Sequence, residues 1–285
     1  MSKKSAVLLL SCPDRKGVVA AISGFIFQHG GNILHADEHG DADSSTFLMR
    51  VEFDQTELDL PLSDFAWQFG QRAKQFGMQW RLALSDVRQR MAILVSRYDH
   101  CLVDLLYRHQ SGEIACEIPC VISNHTDNRP LAEFYEIPFF YVPVEKGNKR
   151  AAERQIISLL EQDAVDFIVL ARYMQILSSE LVNAYPQKII NIHHSFLPAF
   201  IGAKPYHQAF ARGVKLIGAT SHYVTEVLDD GPIIEQDVVR ISHRDSVEDL
   251  IQKGRDLEKV VLSRAVRWHV ENRVLLYGNK TVVFE

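Results

Sequence analysis

Groups able to do polar chemistry concentrate in the run Asn191-Ile-His193-His194-Ser-Phe-Leu-Pro198. Asn191 and His193 stand two residues apart, so in an extended strand their side chains leave the same face. Both an amide and an imidazole can donate hydrogen bonds to an oxygen that gains negative charge when a carbonyl is attacked. The imidazole can also pass a proton. The same spacing fits a strand end whose histidine bonds a nearby carbonyl, because so short a pattern is weakly specific. A second stretch, Leu228-Asp229-Asp230-Gly231-Pro232-Ile-Ile234, sets two carboxylates in a turn. Alone, that is ordinary turn chemistry. Beside an imidazole, a carboxylate orients the ring and raises its pKa, keeping it charged near neutrality.

These groups need a frame. From Met91 onward, apolar strands alternate with helices. Met91–Val95, Ile114–Ile122, Phe139–Val142, Phe167–Leu170 and Ile189–Ile192 read as strands, and Cys101–His109 and about Lys149–Gln162 as helices. Such alternation predicts an α/β domain with a doubly wound, mostly parallel, Rossmann-like sheet, whose function gathers at the C-terminal strand ends. Strands Leu216–Tyr223 and Ile233–Ile241 then flank the 229–232 turn. Ser246-Val-Glu-Asp249 opens a long amphipathic helix, and Thr281–Phe284 is a last strand.

The beginning of the chain has a different rhythm. Strand Ala6–Ser11 precedes a helix marked by Val18, Ile22, Phe25 and Ile26. Strands Asn32–Glu38 and Thr46–Phe53, a helix Leu58–Phe76 and a strand Met78–Leu84 follow. This is the ferredoxin-like βαββαβ order. The expected organisation is therefore a small domain at 1–85, a charged linker at 86–90 and a second domain at 91–285.

The 285 residues are 47% hydrophobic and 24% charged, enough to bury two ordinary cores. The net charge is −5 and the basic clusters (Lys146, Lys149, Arg150) are small, which argues against a nucleic-acid partner. No apolar run approaches the roughly 20 residues of a membrane helix. The run after Met1–Ser5 is too short for a signal-peptide core. A cytoplasmic protein without a membrane partner is expected. Cys12, Cys101, Cys116 and Cys120 form no Cys-x-x-Cys pair and read as reduced thiols. His35, Asp37 and His39 share a strand face but close no ligand cage, so they read as an exposed polar strand, and no metal site is expected.

Three ordered motifs resemble the folate-dependent formyltransferase family: Asn191 to Pro198, Gly218-Ala-Thr-Ser-His222-Tyr-Val224, and Asp229 to Gln236. The resemblance spans roughly residues 90 to 285. It implies Asn191, His193 and Asp229 as the catalytic trio, with Asp230 second to Asp229. It also implies that Ala171-Arg172-Tyr173-Met174-Gln175-Ile176-Leu177 walls the pterin pocket, largely through backbone. The same segment fits a strand-to-helix loop with Met174 and Leu177 in the core. His222 and His194 are expected in the substrate site, with His207 a further candidate; His222 equally fits a satisfied core histidine.

Glycinamide ribonucleotide transformylases, which resemble this domain, hold their acceptor's phosphate on a glycine-rich loop. The corresponding stretch here, Ser96-Arg-Tyr98-Asp99-His-Cys-Leu102, has no glycine. His194 stands where those enzymes usually carry proline. With Lys204-Pro-Tyr-His207, the run from Asn191 resembles the formyltetrahydrofolate deformylases, which join this fold to an N-terminal ACT domain. That resemblance covers nearly the whole chain. It implies a homo-oligomeric hydrolase of one-carbon metabolism and purine biosynthesis, splitting 10-formyltetrahydrofolate with water and no cofactor.

Cys12-Pro-Asp14-Arg15-Lys16-Gly17 resembles the turn where ACT domains hold small amino acids. A following helix N-terminus offers N–H groups to a carboxylate, and Asn32 would accept from the ammonium group. Glycine or methionine is the implied effector, and a module that only dimerises is the competing reading. Two rivals remain for the whole chain: a formyltransferase using an unphosphorylated amine, and a non-catalytic folate or amino-acid sensor.

Overall fold

The computed structural model describes residues 4–145, 147–198 and 205–284. The chain divides into two compact units. One runs to Arg88 and resumes at Asn272, and the other is Gln89–Glu271.

The smaller unit begins with β1 (Ser5–Pro13), α1 (Val18–Gln28), β2 (Asn32–Asp41), β3 (Thr46–Asp54), α2 (Leu62–Phe76) and β4 (Gln79–Leu84). The strands form an antiparallel sheet in the order β2-β3-β1-β4. Alternation along β1 explains its core. Ala6, Leu8 and Leu10 face one way and pack with Ile22, Phe25, Phe65 and Phe69 of the helices. α2 starts at Leu62, after Pro61, rather than at Leu58. Pro61 is extended, with ψ near 148°, so the preceding residues stay out of the helix while Leu58 and Leu60 still pack on the core.

The larger unit contains β5 (Arg90–Val95), α3 (His100–Gln110), β6 (Glu117–Ser123), α4 (Arg129–Phe134), β7 (Phe139–Tyr141), α5 (Lys149–Gln162), β8 (Phe167–Leu170), α6 (Ser179–Ala184) and β9 (Ile189–His193). It continues through α7 (Pro205–Arg212), β10 (Leu216–Tyr223), β11 (Ile233–Arg240) and α8 (Val247–Val270). Its sheet has the order β11-β10-β9-β8-β5-β6-β7. The strands from β9 to β7 run parallel, and β10 and β11 turn antiparallel at one edge. The expected doubly wound, mostly parallel sheet is thus present. α4, α6 and α7, of 6, 6 and 8 residues, span too few turns to print a helical period on the sequence. α8 opens on a full capping box between Ser246 and Asp249.

The chain ends in a hairpin, β12 (Val274–Tyr277) and β13 (Lys280–Val283), that belongs to the smaller unit. This corrects the expected 91–285 boundary. Val7, Leu9 and Leu48 make the second face of the small sheet apolar, and Phe284, Leu275, Tyr277 and Val282 cover it. Asn272 anchors the return: its carbonyl accepts from Arg50 Nε at 3.0 Å and its Oδ1 accepts from Arg81 Nη1 at 2.6 Å. Among the described residues, no helix is long and apolar enough to cross a membrane.

Candidate active site

β9 carries Asn191 and His193 to the C-terminal edge of the parallel strands. Its antiparallel partner β10 sets His222 opposite Asn191 and Thr220 opposite His193. Directly opposed residues share a sheet face at short range. Asn191 Nδ2 accordingly lies 3.2 Å from His222 Nε2. His222 Nδ1 is 2.9 Å from the Tyr223 carbonyl, which can only accept, so Nδ1 carries the hydrogen. Nε2 is then an acceptor and takes a hydrogen bond from the Asn191 amide. Burial lowers the His222 pKa and keeps the ring neutral, in keeping with that tautomer.

Asp229 arrives from the turn after β10. Its backbone is left-handed, with φ 56°. Gly231 lets this turn close: a Cβ there would collide with the Tyr223 carbonyl. Tyr223 N donates to Pro232 O at 2.9 Å across the same closure. The turn brings Asp229 Oδ1 to 3.3 Å from His193 Nδ1 and 3.8 Å from His222 Nε2. The hydrogen bond from His193 holds the Asp229 carboxyl below its usual range. Asp230 is exposed on the outside of the turn. His193 is buried and its Nε2 has no hydrogen-bond partner among the described residues. An imidazole held at one nitrogen and bare at the other is arranged to act on something in the adjoining space.

That space is a cavity of about 590 Å³ lined by Asn191, His193, Asp229, His194, His222 and every residue from Arg172 to Leu177. Its size suits a small organic molecule. Ser96 holds the 171–177 segment, its Oγ accepting from Met174 N at 2.9 Å and its N donating to Arg172 O at 3.2 Å. Tyr173 is buried and Leu177 packs on the core, but Met174 and Ile176 are 52% and 61% exposed. Of the two readings of Met174, cavity wall or core, the core one does not hold, because the segment leaves it exposed among the cavity-lining residues. Burial first, then the charge of Arg172, lowers His194 to a pKa of about 4. His207 is exposed at the rim, and Lys204 lies outside the described residues. Thr220 fixes the loop after His193: its Oγ1 donates to Ser195 O and accepts from Leu197 N and Gln236 Nε2. Thr220 and Gln236 stood inside the motifs, without their bracing role being legible.

The sequence profile described as formyl transferase matches residues 89–266, and that of the ACT domain matches 6–64. A formyltetrahydrofolate deformylase from Synechocystis is 54% identical over 284 residues, covering 100% of both chains.

The chain belongs to the formyltetrahydrofolate deformylase family.

A crystal structure of a formyltetrahydrofolate deformylase from Pseudomonas syringae superposes with a TM-score of 0.98 at 50% identity, covering 100% of this chain and 96% of that one. A glycinamide ribonucleotide transformylase from Symbiobacterium toebii matches with a TM-score of 0.67 at 29% identity, over 72% of this chain and 98% of its own.

The cavity in this deformylase-family chain is also lined by a charged cluster around Glu258, a residue absent from the sequence-based expectations. Glu258 of α8 is 1% exposed. Its Oε1 accepts from Tyr206 Oη at 2.6 Å, and its Oε2 lies 2.9 Å from His100 Nε2 and 3.4 Å from Arg172 Nε. Burial opposes the charge on Glu258, but the bonds from His100 and Tyr206 and the charge of Arg172 prevail and lower its pKa. The available signal was Gly254 inside a long helix, where a Cβ would strike the Tyr206 ring. His100, Cys101 and Glu258 bring possible metal-ligand atoms within 4.8 Å of one another. Burial pushes the Cys101 thiol well up, so it keeps its proton, and both Glu258 oxygens are already engaged. This donor set is poorly suited to a metal. His35 and His39 lie exposed on β2 and enter no such group among the described residues.

The N-terminal candidates do not converge within one smaller unit. Asp14, Arg15, Lys16 and Gly17 are exposed at the entry to α1, and Gly17 has φ 90°. Arg15 is tied down, its Nη2 donating to the Gln75 carbonyl and its guanidinium 4.3 Å from the Phe76 ring centroid. Asn32 pairs with Asp54 on β3, whereas Pro13 pairs with Thr46. At ~3.3 Å per residue these positions are roughly 26 Å apart along the sheet. Asn32 therefore does not join the Asp14–Gly17 turn.

Proposed function

We propose that this chain hydrolyses 10-formyltetrahydrofolate to formate and tetrahydrofolate. The observation that carries this reading is the buried His193, held by Asp229 at Nδ1, with Nε2 lacking a hydrogen-bond partner among the described residues, two places along β9 from Asn191. The folate occupies the cavity along residues 172–177, with its formyl oxygen toward Asn191 Nδ2 and His193 Nε2. Water attacks the formyl carbon. The Asn191 amide and the His193 imidazole donate to the resulting oxyanion. Asp229 orders the water, holds His193 and helps relay a proton to the departing nitrogen. The C–N bond breaks, and formate leaves. The family relatives named above support hydrolysis of this substrate.

The test is formate release by the purified protein, with chelator present and no amine acceptor. Equal yields of formate and tetrahydrofolate are expected. Tight folate binding without release would overturn the assignment.

The smaller unit is read as an amino-acid sensor in a cytoplasmic homo-oligomer. The turn at Asp14–Gly17 would take the carboxylate of glycine or methionine, without Asn32 of the same chain. β2 and β4 are the edge strands along which ACT-type sheets would pair. Calorimetry should use the full chain, because a fragment ending before Asn272 would bare Val7 and Leu9. Heat from either amino acid supports sensing, and heat from neither rejects it. Sedimentation gives the oligomer number.

A further inference from the structure

We propose that Glu258 is a positioning residue for the substrate, acting through Arg172: its carboxylate holds the guanidinium of the strained residue from which the 172–177 wall of the cavity starts. The inference rests on the folate lying along that wall, as proposed above, and names what keeps the wall in shape.

Strain marks the position. Arg172 has φ 64°, in the left-handed region. A residue with a Cβ stays there only where its surroundings hold it, and such residues gather at ligand sites. The backbone is one hold: Ala171 N donates to Leu94 O at 2.9 Å, and Ser96 N donates to Arg172 O at 3.2 Å. The side chain is the other. It is 10% exposed, and its guanidinium carbon lies 5.4 Å from the Tyr98 ring centroid. Its Nε makes no hydrogen bond among the described residues, so the link to Glu258 Oε2 at 3.4 Å is one of charge. Charges paired away from water attract strongly.

Glu258 is built to stay fixed rather than to follow its partner. Tyr206 of α7 donates to Oε1, and His100 of α3 lies at Oε2. The carboxylate stands on the 24-residue α8, where Gly254 leaves room for the Tyr206 ring. Arg172, by contrast, belongs to the segment between β8 and α6. Without the Glu258 charge it is a buried cation lacking that partner, which is costly. The side chain then turns toward the water of the cavity and draws its backbone out of the left-handed state. The wall loosens at its first residue, while Ser96 still grips Met174 N and Glu153 still grips Ser178 N. Substrate binding weakens, and His193, on β9, keeps its place.

The experiment is a double-mutant cycle on the full chain, read by formate release and by thermal melts. Glu258→Gln, near-isosteric and still able to accept from Tyr206, should raise KM for 10-formyltetrahydrofolate about tenfold and leave kcat within about threefold. Arg172→Met keeps much of the stem, loses the charge and should raise KM to a similar degree. Because one residue acts through the other, the double variant should show little more than either single variant, rather than the roughly hundredfold rise of two independent effects. Arg172→Lys puts a cation back opposite Glu258 and should recover part of the KM. An unchanged KM in folded Glu258→Gln would overturn the proposal, even with a lower melting temperature, since that marks a structural role alone. So would KM effects that multiply in the double variant, or a loss confined to kcat. If Glu258→Gln does not fold, Arg172→Met against Arg172→Lys decides, and equal KM in the two rejects the charge link. Wild-type formate release is measured first. Its absence would sink the hydrolysis, and the same cycle is then read on the folate dissociation constant by calorimetry.

Discussion

His193 Nδ1 and Asp229 Oδ1 lie 3.3 Å apart, and Nε2 of this buried imidazole is left without a hydrogen-bond partner among the described residues. A strand end supplies one partner and a left-handed turn residue the other. Neither is placed by its neighbours in sequence alone.

Removing either group should cost rate rather than fold. His193→Ala and Asp229→Asn are each expected to lower kcat by at least about 10²–10³, the usual loss of an oxyanion or proton-relay group. The hydrogen bond from His193 depresses the Asp229 pKa below its ordinary 3.8. An acid with a depressed pKa stays ionised down to that lowered value. The Asp229 limb of the pH–rate profile should therefore lie below pH 3.8 and vanish in Asp229→Asn. Steady-state kinetics across pH, with circular dichroism as a fold control, checks both points.

His222 should act through Asn191. His222→Leu removes the acceptor for the Asn191 amide, and the misdirected amide is expected to cost up to about 10² in kcat. His222→Gln has a carbonyl that can accept the same hydrogen bond and should retain more activity. Comparing kcat and KM for the two variants tests positioning, since a lost binding contact would raise KM in both alike.

Acid should weaken the larger unit before its carboxylates titrate. Burial, and then Arg172, lowers His194 from 6.5 to about 4, and burial lowers His222. Between those values the unfolded chain binds the proton and the folded chain does not. Stability from His194 is thus fully present above pH 6.5 and is lost as pH falls toward 4. Urea midpoints measured from pH 7 to pH 4 should fall, and the fall should shrink in His194→Asn.

Gly231→Ala tests the turn. The added Cβ collides with the Tyr223 carbonyl, so the backbone has to move and Asp229 with it. A destabilisation of roughly 1–3 kcal/mol is expected from such overpacking, together with loss of hydrolysis. Thermal melts and a turnover assay report the two effects separately.

Phe284→Ala tests the returning hairpin. Phe284 is buried against Val7, Leu9 and Leu48. Its truncation should cost the smaller unit about 3–5 kcal/mol, the range for a buried aromatic. Hydrogen exchange at β1 and β3 amides should quicken, and unchanged protection there would contradict the assignment of the hairpin to this unit.

The sequence by itself determined the kinds of elements and much of their order. Period-two and helical patterns are local, and they marked both strand-and-helix sets and put Asn191 and His193 on one strand face. Gly231 and Pro232 likewise marked the turn carrying Asp229. Partnership was decided only in three dimensions. Periodicity does not say that His222 lies opposite Asn191, that Met174 turns outward, or that Asn32 and Gly17 sit at opposite ends of a sheet. Nor does it say that a helix glutamate, Glu258, closes on His100, Tyr206 and Arg172, or that the last residues return to cover β1 and β3. Each of these follows from strand register and packing between distant segments, set by which apolar faces must be covered rather than by any neighbouring residue.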